Sequence, residues 1–451
     1  MARTIKTLSD YGKEYADYGV PPGCAPSPQV LKTQSQDYHL TEKSGKAGKD
    51  GKLGENWFLA PRGYFDNKLW NRGIQGAISA AQWGSGEIGE IDRVGKRLLK
   101  LVADHGYKPE DWYTEWLRMA EHVEGLAKAA EAKARYVTAG GAYRRASQYY
   151  QYAAGKKYNQ DGSPSKDTVE AYRKGVVCFR KAIRWQQFPR VEAVEVPFEE
   201  KSLPAYFVQS PMNPIPGPTM IIFDGAVLFK EGLYNGFADE FAKRGIACLI
   251  VDTPGNGESL MLRGMHARHD SEKSAGACLD YLETRPDVDP HRIGITALSL
   301  GGFYAPRAAA FEKRLKACVA WGPEWDYRDS WIRRWTLMLE AGPKAYELLD
   351  APLMHKPWML GAKTWDEAFK KLGGFNLRGI AEKITCPFLL VHGEEDGQEP
   401  TAVAERLFGA VRSKKKTLKI FTAEEGGSMH CSGDNRTLAL TYICDWVMEN
   451  L

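Results

Sequence analysis

A serine stands between an apolar run and a glycine pair in the segment Arg292-Ile-Gly-Ile-Thr-Ala-Leu-Ser-Leu-Gly-Gly302. The apolar residues predict a buried strand that ends at Ser299, and the residues after the glycines predict a helix. A sharp strand-to-helix turn exposes the serine hydroxyl for attack on a carbonyl carbon. The usual pattern of such a turn is G-x-S-x-G, and Ala297 stands at its first glycine, where it adds only a methyl group. Ser299 is therefore the candidate nucleophile.

A carboxylate that can orient a histidine follows a later strand. The run Pro387-Phe-Leu-Leu-Val-His-Gly393 predicts a buried strand, and the acidic turn from Glu394 to Pro400 comes directly after it. Asp396 is the candidate acid, because hydrolases with a nucleophilic serine at a strand-to-helix turn place their acid a few residues beyond a later strand. His392, inside the strand run, is interpreted as structural. The other acidic residues of the turn are assigned to a solvated loop: Glu394, Glu395 and Glu399.

The base is predicted in a loop that follows another strand. Residues 415–421 alternate in polarity as a half-buried strand does, and they lead into the segment Glu425-Gly-Gly-Ser-Met-His-Cys431. This loop is predicted to be mobile, and its His430 is the candidate base. Serine, aspartate and histidine follow one another along the chain in the order found in α/β hydrolases. The three residues therefore predict nucleophilic catalysis.

Acyl transfer also needs hydrogen-bond donors for the developing oxyanion. The apolar run 219–223 predicts a strand whose exit loop supplies one backbone N–H, from either Gly225 or Ala226. Leu300 supplies the other. The next strand ends in a glycine turn, 252–259, that completes neither a phosphate-binding nor a dinucleotide-binding pattern. This turn is therefore interpreted as structural.

The bulk composition restricts the class of partner. The chain has 451 residues, and 61 basic against 57 acidic side chains give a net charge of +4, which is too small and too dispersed for a nucleic-acid footprint. A small-molecule substrate fits better. The basic stretch 43–52 is interpreted as a flexible loop. No metal-binding pattern is present, so we expect neither metal nor cofactor.

Cysteine usage and hydropathy predict the compartment. The eight cysteines are spread singly, as is usual for a reducing environment. The chain has neither an apolar segment of signal-peptide type at its start nor an apolar run of about 18 residues. We therefore expect a cytoplasmic protein that does not bind membranes.

Three regions are predicted along the chain: an irregular extension over residues 1–70, a helical cap domain over 71–190 and a catalytic α/β domain over 191–451. A helix begins at Pro109, and the similar segments 142–150 and 171–179 predict a pair of helices. After residue 190, apolar runs alternate with helical stretches, as expected for a mostly parallel sheet covered by helices on both faces.

An insertion over residues 323–380 interrupts the catalytic domain and contains many large aromatic residues. They either form a cap over an aromatic substrate or pack the insertion onto the N-terminal helices, since both uses need the same residue types. Glu324 follows a strand end on the catalytic side, where it either contacts the substrate, with a possible proton transfer, or lies on the surface. The candidate substrate-contacting residues are Asp224, Glu324 and Trp325.

Four segments together resemble the family of α/β hydrolases that includes 2,6-dihydroxypseudooxynicotine hydrolase and the fungal hydrolases that shorten pigment polyketides: residues 142–150, 194–207, 288–302 and 426–431. The resemblance covers residues 75–450. It implies an α/β-hydrolase fold with an N-terminal helical domain that closes over the active site, and it implies a homodimer. The sequence departs from the family at Ala297, at Asp224, where relatives often have glycine, and in the basic N-terminus.

The resemblance also implies a reaction. Several members of the family hydrolyse a carbon–carbon bond beside an aryl ketone, and others cleave esters. For this chain the resemblance implies a hydrolase that cleaves a carbon–carbon bond of an aryl ketone or a β-diketone through an acyl-enzyme. The leaving carbon must then pass its charge to a phenolic ring or a second carbonyl. The alternative is a carboxylesterase or peptidase that uses the same three residues, and a third possibility is a binding or scaffold protein of this fold.

Overall fold

The structure is a computed structural model that describes residue 65 and residues 68–186, 189–212, 215–226, 228–341 and 354–451. The basic stretch 43–52 and nearly all of the predicted extension lie outside the described residues. Within the described part, the first helix begins at Lys68, just before the boundary predicted for the helical domain.

Helices make up the region before the sheet: α1 (Lys68–Ala81), α2 (Ile88–His105), α3 (Pro109–Glu131), α4 (Tyr136–Ala154) and α5 (Lys166–Trp185). Pro109 starts α3 at a position where its missing N–H costs no hydrogen bond. Ser165 caps α5 by accepting the Thr168 N–H.

These helices enclose a core of their own. The predicted pair of segments forms α4 and α5, which pack against each other and against α3. Three tyrosines of this pair are buried in that core, Tyr143, Tyr150 and Tyr172, whereas Phe179 of α5 packs into the core on one face of the sheet. Trp112 and Trp116 of α3 complete the core of the helices with tilted ring contacts. The helical region is therefore a packed layer rather than a set of isolated helices.

The second region is an eight-stranded sheet in the described part of the chain, with the order β1-β2-β4-β3-β5-β6-β7-β8. Its strands are β1 (Val191–Phe198), β2 (Lys201–Val208), β3 (Gly217–Phe223), β4 (Ala247–Val251), β5 (Val288–Leu300), β6 (Ala317–Pro323), β7 (Phe388–Gly393) and β8 (Lys416–Phe421). The first two strands pair antiparallel, and β3 to β8 run parallel to one another.

Helices cover both faces of the sheet, so its central strands are apolar on both sides. In β3, Ile221 and Phe223 belong to one core and Met220 and Ile222 to the other. The covering elements are α6 (Lys230–Leu233), α7 (Asp239–Lys243), α8 (Gly257–Met261), α9 (Ser271–Glu283), α10 (Gly301–Phe311), α11 (Tyr327–Ala341), α12 (His355–Met359), α13 (Trp365–Leu372), α14 (Thr401–Ala410) and α15 (Arg436–Asn450), with a π-helical turn at Tyr234–Ala238 and 3₁₀ turns at Ala381–Lys383 and His430–Ser432.

The insertion between β6 and β7 packs mainly onto the catalytic domain. Four of its indoles are buried in the same core as one face of the sheet: Trp325, Trp331, Trp335 and Trp365. Contact with the helical domain comes instead from α12, where the His355 ring lies 4.6 Å from the Tyr158 ring and its Nδ1 donates a hydrogen bond to the Gly162 carbonyl oxygen. The described indoles thus do not serve mainly to attach the insertion to the N-terminal helices.

Candidate active site

Ser299 occupies a strained turn at the end of β5. Its φ of 59° lies in the left-handed region, which is uncommon for a residue other than glycine. The glycines after it allow the close approach of neighbouring backbone: a methyl group on Gly302 would stand 2.3 Å from the Gly322 carbonyl oxygen, and one on Gly301 would stand 2.5 Å from the Ala297 Cβ. Gly301 thus leaves the space that the extra methyl group of Ala297 occupies.

The structure brings the three predicted catalytic side chains into one hydrogen-bonded chain. His430 Nε2 lies 2.9 Å from Ser299 Oγ, and His430 Nδ1 lies 2.8 Å from Asp396 Oδ2. Each side chain follows the carboxyl end of a parallel strand, and those ends share one edge of the sheet. This geometry allows His430 to accept the Ser299 proton while Asp396 holds the ring.

Asp396 is fixed from three directions. Its Oδ1 accepts the backbone N–H groups of Gln398 at 2.8 Å and Glu399 at 3.1 Å. Its Oδ2 faces His430 and lies 3.6 Å from Nδ1 of the buried His392. Although burial alone would raise it, the charge and the hydrogen bond of His430 hold the pKa of Asp396 below its usual range. Burial lowers the pKa of His392, so this ring is neutral beside the acid.

The pKa of the buried His430 is shifted in the opposite direction to that of Asp396. Burial by itself disfavours its charged form, but the Asp396 carboxylate outweighs that effect and raises the pKa of His430 well above its usual value. The ring is 8% exposed, so the ion pair is shielded from water. The pair can therefore stabilise the imidazolium that forms when Ser299 loses its proton.

The loop that carries His430 is closed by a carboxylate, although the sequence predicts a mobile loop. Asp434 accepts three backbone N–H groups, from Gly427 at 2.7 Å, Ser428 at 3.2 Å and Met429 at 3.0 Å. The same loop presses against the end of β7, where a methyl group on Gly393 would stand 2.1 Å from the Ser428 carbonyl oxygen. Asp434 thereby fixes the backbone just before the base.

Glu324 lies inside the protein and not on its surface, being 1% exposed. It accepts the Ser330 hydroxyl at 2.9 Å and pairs with Arg334 at 3.5 Å. Burial and the charge of Glu399 raise the pKa of Glu324 to about 8, against the opposing effects of Arg334 and His430. Glu324 is therefore a carboxylic acid at neutral pH, within electrostatic reach of His430.

The prediction that Glu399 lies on a solvated loop is wrong. Glu399 is 1% exposed and pairs with Arg333 at 2.8 Å and with Arg334 at 3.2 Å. Both arginines belong to α11 of the insertion, so they join that helix to the turn of Asp396. The buried guanidinium of Arg334 also lies over the Trp331 ring at 5.3 Å.

The loop after β3 meets the serine turn, as the oxyanion prediction requires. A methyl group on Gly225 would stand 3.0 Å from the Ser299 Cβ and 2.6 Å from the Leu298 carbonyl oxygen. Leu300 is the capping residue of α10, whose N-terminus carries partial positive charge. Gly225 thus lies against the turn, and Ala226 follows it at an intermediate exposure.

The other predicted substrate contacts are buried in protein. Asp224 is fully buried, and its Oδ1 accepts the Thr253 hydroxyl at 3.1 Å and the Asn256 amide at 2.9 Å. Burial and the nearby charge of Asp252 raise the pKa of Asp224 well above its usual value. Trp325 is 6% exposed, with the Arg406 guanidinium 5.2 Å from its ring. Asp224 therefore holds the loop of Gly225 onto the loop after β4.

Among the residues that the structure describes, no group of histidine, cysteine and acidic side chains is arranged to hold a metal ion. No described helix is long and apolar enough to cross a membrane.

Comparison with known families gives the class of this chain. A family model described as Esterase FrsA-like matches residues 88–327, which is more than half of the chain, and a model described as Alpha/beta hydrolase family matches residues 223–435. The chain therefore belongs to the FrsA-like family of the α/β hydrolases. The predicted fold, a mostly parallel α/β-hydrolase sheet, is confirmed.

Individual relatives agree with this assignment. The chain is 29% identical to the hydrolyase poxO of Penicillium oxalicum over 59% of this chain and 63% of poxO, less than two thirds of that relative. It is 27% identical to 2,6-dihydropseudooxynicotine hydrolase of Paenarthrobacter nicotinovorans over 75% of this chain and 84% of the relative. A crystal structure of 2,6-dihydroxy-pseudo-oxynicotine hydrolase superposes with a TM-score of 0.65 at 22% identity and covers 83% of this chain and 95% of its own. The predicted resemblance is thus confirmed.

Some residues around the site have no sequence pattern that identifies them. Arg334 and Lys230 make buried contacts, and the exposed Asp434 makes partly buried contacts to the loop of His430, but each contact joins segments that are distant in sequence or leaves no periodic pattern. For Lys230 one signal exists, because a lysine-glutamate pair directly after the oxyanion loop begins a helix. The roles of Asp434 and Arg334 can be identified only from the folded structure.

Proposed function

We propose that the protein is a serine hydrolase that cleaves a carbon–carbon bond next to a carbonyl, in a small aryl ketone or β-diketone, through an acyl-enzyme. The observation that carries the proposal is the hydrogen-bonded chain of Ser299, His430 and Asp396 with the serine at a φ of 59°. A buried serine that is merely structural would need neither the strained turn nor the ion pair behind its partner.

The proposed reaction has two halves. Ser299 Oγ attacks the carbonyl carbon while His430 Nε2 takes its proton, and the oxyanion rests on the N–H of Leu300 and one N–H of the Gly225–Ala226 segment. The carbon–carbon bond then breaks, its electron pair leaves with the departing carbon, and His430 returns the proton. Water attacks the acyl-serine with His430 as base and releases a carboxylic acid.

Glu324 favours carbon–carbon cleavage over ester cleavage. A carbanion is a poor leaving group, so a ketone substrate needs its charge delocalised into a phenol or a second carbonyl, and a donor that polarises that group helps. With its pKa raised to about 8 by burial and Glu399, Glu324 is a neutral donor at the end of β6. An alkoxide leaving group needs no such donor.

An esterase or peptidase with the same triad is the second candidate. The description of the matching family as esterase FrsA-like is the observation that favours it. The triad serves both reactions equally, and the difference lies in the leaving group.

The shared acyl-enzyme can be tested directly. Wild-type protein is mixed with a 2-hydroxyaryl ketone or an aryl ester, quenched in acid during turnover, digested with trypsin and analysed by mass spectrometry. We expect the acyl mass on the peptide 293–307, which contains Ser299, and none in the Ser299→Ala variant. An adduct on another peptide, or turnover by the Ser299→Ala variant at the wild-type rate, contradicts the proposal.

A further inference from the structure

Lys230 is a fully buried lysine at the end of the loop that carries the oxyanion donors. Its side chain is 0% exposed, and its ammonium lies 2.8 Å from Asp252, 2.9 Å from Glu231 and 3.0 Å from Glu258. Buried charges are rare unless they are paired, and three carboxylates around one ammonium form a cluster that the proposed reaction does not use. The cluster therefore needs another explanation.

The backbone of Lys230 is held by the same carboxylate as its side chain. The Lys230 N–H donates to Asp252 Oδ1 at 2.8 Å, and the Glu258 N–H donates to Asp252 Oδ2 at 2.7 Å. Gly257 makes room for this arrangement, because a methyl group there would stand 2.1 Å from the Asp252 Cγ and because its φ is 45°. Asp252 thus joins the turn after β4 to the first residue of α6.

The loop after β3 is consequently fixed at both ends to one turn. Its first residue, Asp224, is held by Thr253 and Asn256, and its last, Lys230, is held by Asp252 and Glu258. Between these ends lie the two candidate oxyanion donors. Their distance from Ser299 is therefore set by contacts at the ends of the loop.

The helical domain completes the cluster. From α5, Arg180 pairs with Glu258 at 3.2 Å and the Tyr172 hydroxyl lies 3.5 Å from Asp252 Oδ2. From α4, the Gln151 amide donates to Glu231 at 3.3 Å. The three carboxylates that hold Lys230 belong to the catalytic domain, and each of them is thus also contacted from the helical domain.

We propose that Lys230 is a positioning residue that holds the oxyanion donors in register with Ser299, and that docking of the helical domain is part of this function. The inference rests on the proposed serine mechanism. It predicts that disturbing the cluster slows attack by Ser299 without weakening the binding that precedes the attack, because oxyanion contacts are made in the transition state.

The test is the rate at which a fluorophosphonate labels Ser299, followed by intact-protein mass spectrometry at several probe concentrations. This assay needs no knowledge of the natural substrate and separates the limiting labelling rate from the probe affinity. Failure of wild-type labelling, or equal labelling of the Ser299→Ala variant, would overturn the proposed serine function itself, so that outcome is distinct from failure of the Lys230 inference.

We expect the Lys230→Met variant to label with a limiting rate on the order of 10²-fold lower at unchanged probe affinity, as when an oxyanion donor is lost. The control is Lys174→Gln in α5 of the helical domain, where Lys174 pairs with the exposed Glu121 at the surface. The control is expected to label at the wild-type rate. A folded Lys230→Met variant with the wild-type limiting rate would overturn the inference.

The helical side of the cluster gives a second test that does not depend on how Lys230→Met folds. Arg180 is 45% exposed in its side chain, so the Arg180→Gln, Tyr172→Phe double variant keeps the buried ammonium and its three carboxylates. We expect its limiting rate to fall several-fold, with cooperative unfolding retained. A limiting rate equal to that of Lys174→Gln would show that the cluster does not act on the oxyanion loop.

Discussion

Gly225 lies directly against the nucleophile: a Cβ on Gly225 would be 3.0 Å from the Ser299 Cβ and 2.6 Å from the Leu298 carbonyl oxygen. A separation of 2.6 Å is shorter than real Cβ contacts allow, and backbone atoms cannot move aside without displacing the turn. The loop and the serine turn therefore fit together only while residue 225 has no side chain.

The Gly225→Ala substitution follows from this contact. We expect kcat to fall by about 10²-fold or more, because the methyl group pushes the oxyanion donors away from the position of the developing charge. The matched control is Gly125→Ala in α3, where no atom lies within 4 Å of the added methyl group. It is expected to retain full activity and to gain about 0.5–1 kcal/mol in stability. Full activity of Gly225→Ala would place the donors elsewhere.

The strained turn predicts an order of stability among variants of the nucleophile. Glycine adopts the φ of 59° at Ser299 without the cost of about 1–2 kcal/mol that other residues incur, although it loses about 0.5–1 kcal/mol through backbone entropy. Ser299→Gly should therefore unfold in urea at a higher midpoint than Ser299→Ala. At Ser274, inside helix α9, the order should reverse. A Ser299→Ala variant that is the more stable of the two would show that the turn carries no strain.

Asp396 controls the protonation of the base. Its charge raises the pKa of His430 above the ordinary 6.5, and the base must be neutral to accept the Ser299 proton. The acidic limb of the kcat/KM profile should thus lie above pH 6.5 in the wild type. Asp396→Asn is expected to lower kcat by about 10⁴-fold and to move the limb to lower pH. Asp445→Asn, on the surface, should change neither, and an unmoved limb in Asp396→Asn would contradict the assignment.

The protonation of Glu324 predicts the basic limb of the kcat/KM profile. Because burial and Glu399 raise its folded-state pKa to about 8 from 4.5, its stabilising contribution is full below pH 4.5 and is lost as the pH rises through 8. We expect kcat/KM for ketones to fall above pH 8 in the wild type and not in Glu324→Gln. The thermal midpoint of Glu324→Gln relative to wild type should rise between pH 4.5 and pH 8. An identical basic limb in both proteins would exclude Glu324 from the reaction.

The sequence predicts the local features of the site well. The segment 292–302 contains the end of the strand, the turn at Ser299 and the start of the helix. Asp396 and His430 each follow a strand that the hydrophobic pattern predicts. These predictions succeed because a short stretch of chain decides each of them.

Contacts between distant segments could not be predicted in the same way. Glu399 is polar and lies in an acidic turn, so the sequence predicts a solvated side chain. In the folded protein, α11 of the insertion places Arg333 and Arg334 beside it. Asp434 accepts hydrogen bonds from backbone N–H groups of the loop before His430. Every residue type except proline has such an N–H, so the sequence does not identify these donors. The three carboxylates around Lys230 all come from the catalytic domain, and the helical domain contacts two of them through Arg180 and Tyr172. Burial of charge is decided by packing, which a single sequence does not display.

Product analysis tests the central claim most directly. Wild-type and Ser299→Ala proteins are incubated with hydroxyaryl ketones, β-diketones and matched aryl esters, and the products are identified by mass spectrometry. We predict that the wild type releases a carboxylic acid and the deacylated fragment from the ketones and that Ser299→Ala does not. Turnover of the esters alone would contradict carbon–carbon cleavage and favour the esterase. Equal activity of both proteins would contradict the serine mechanism, and equal inactivity of both would favour a binding or scaffold protein of this fold.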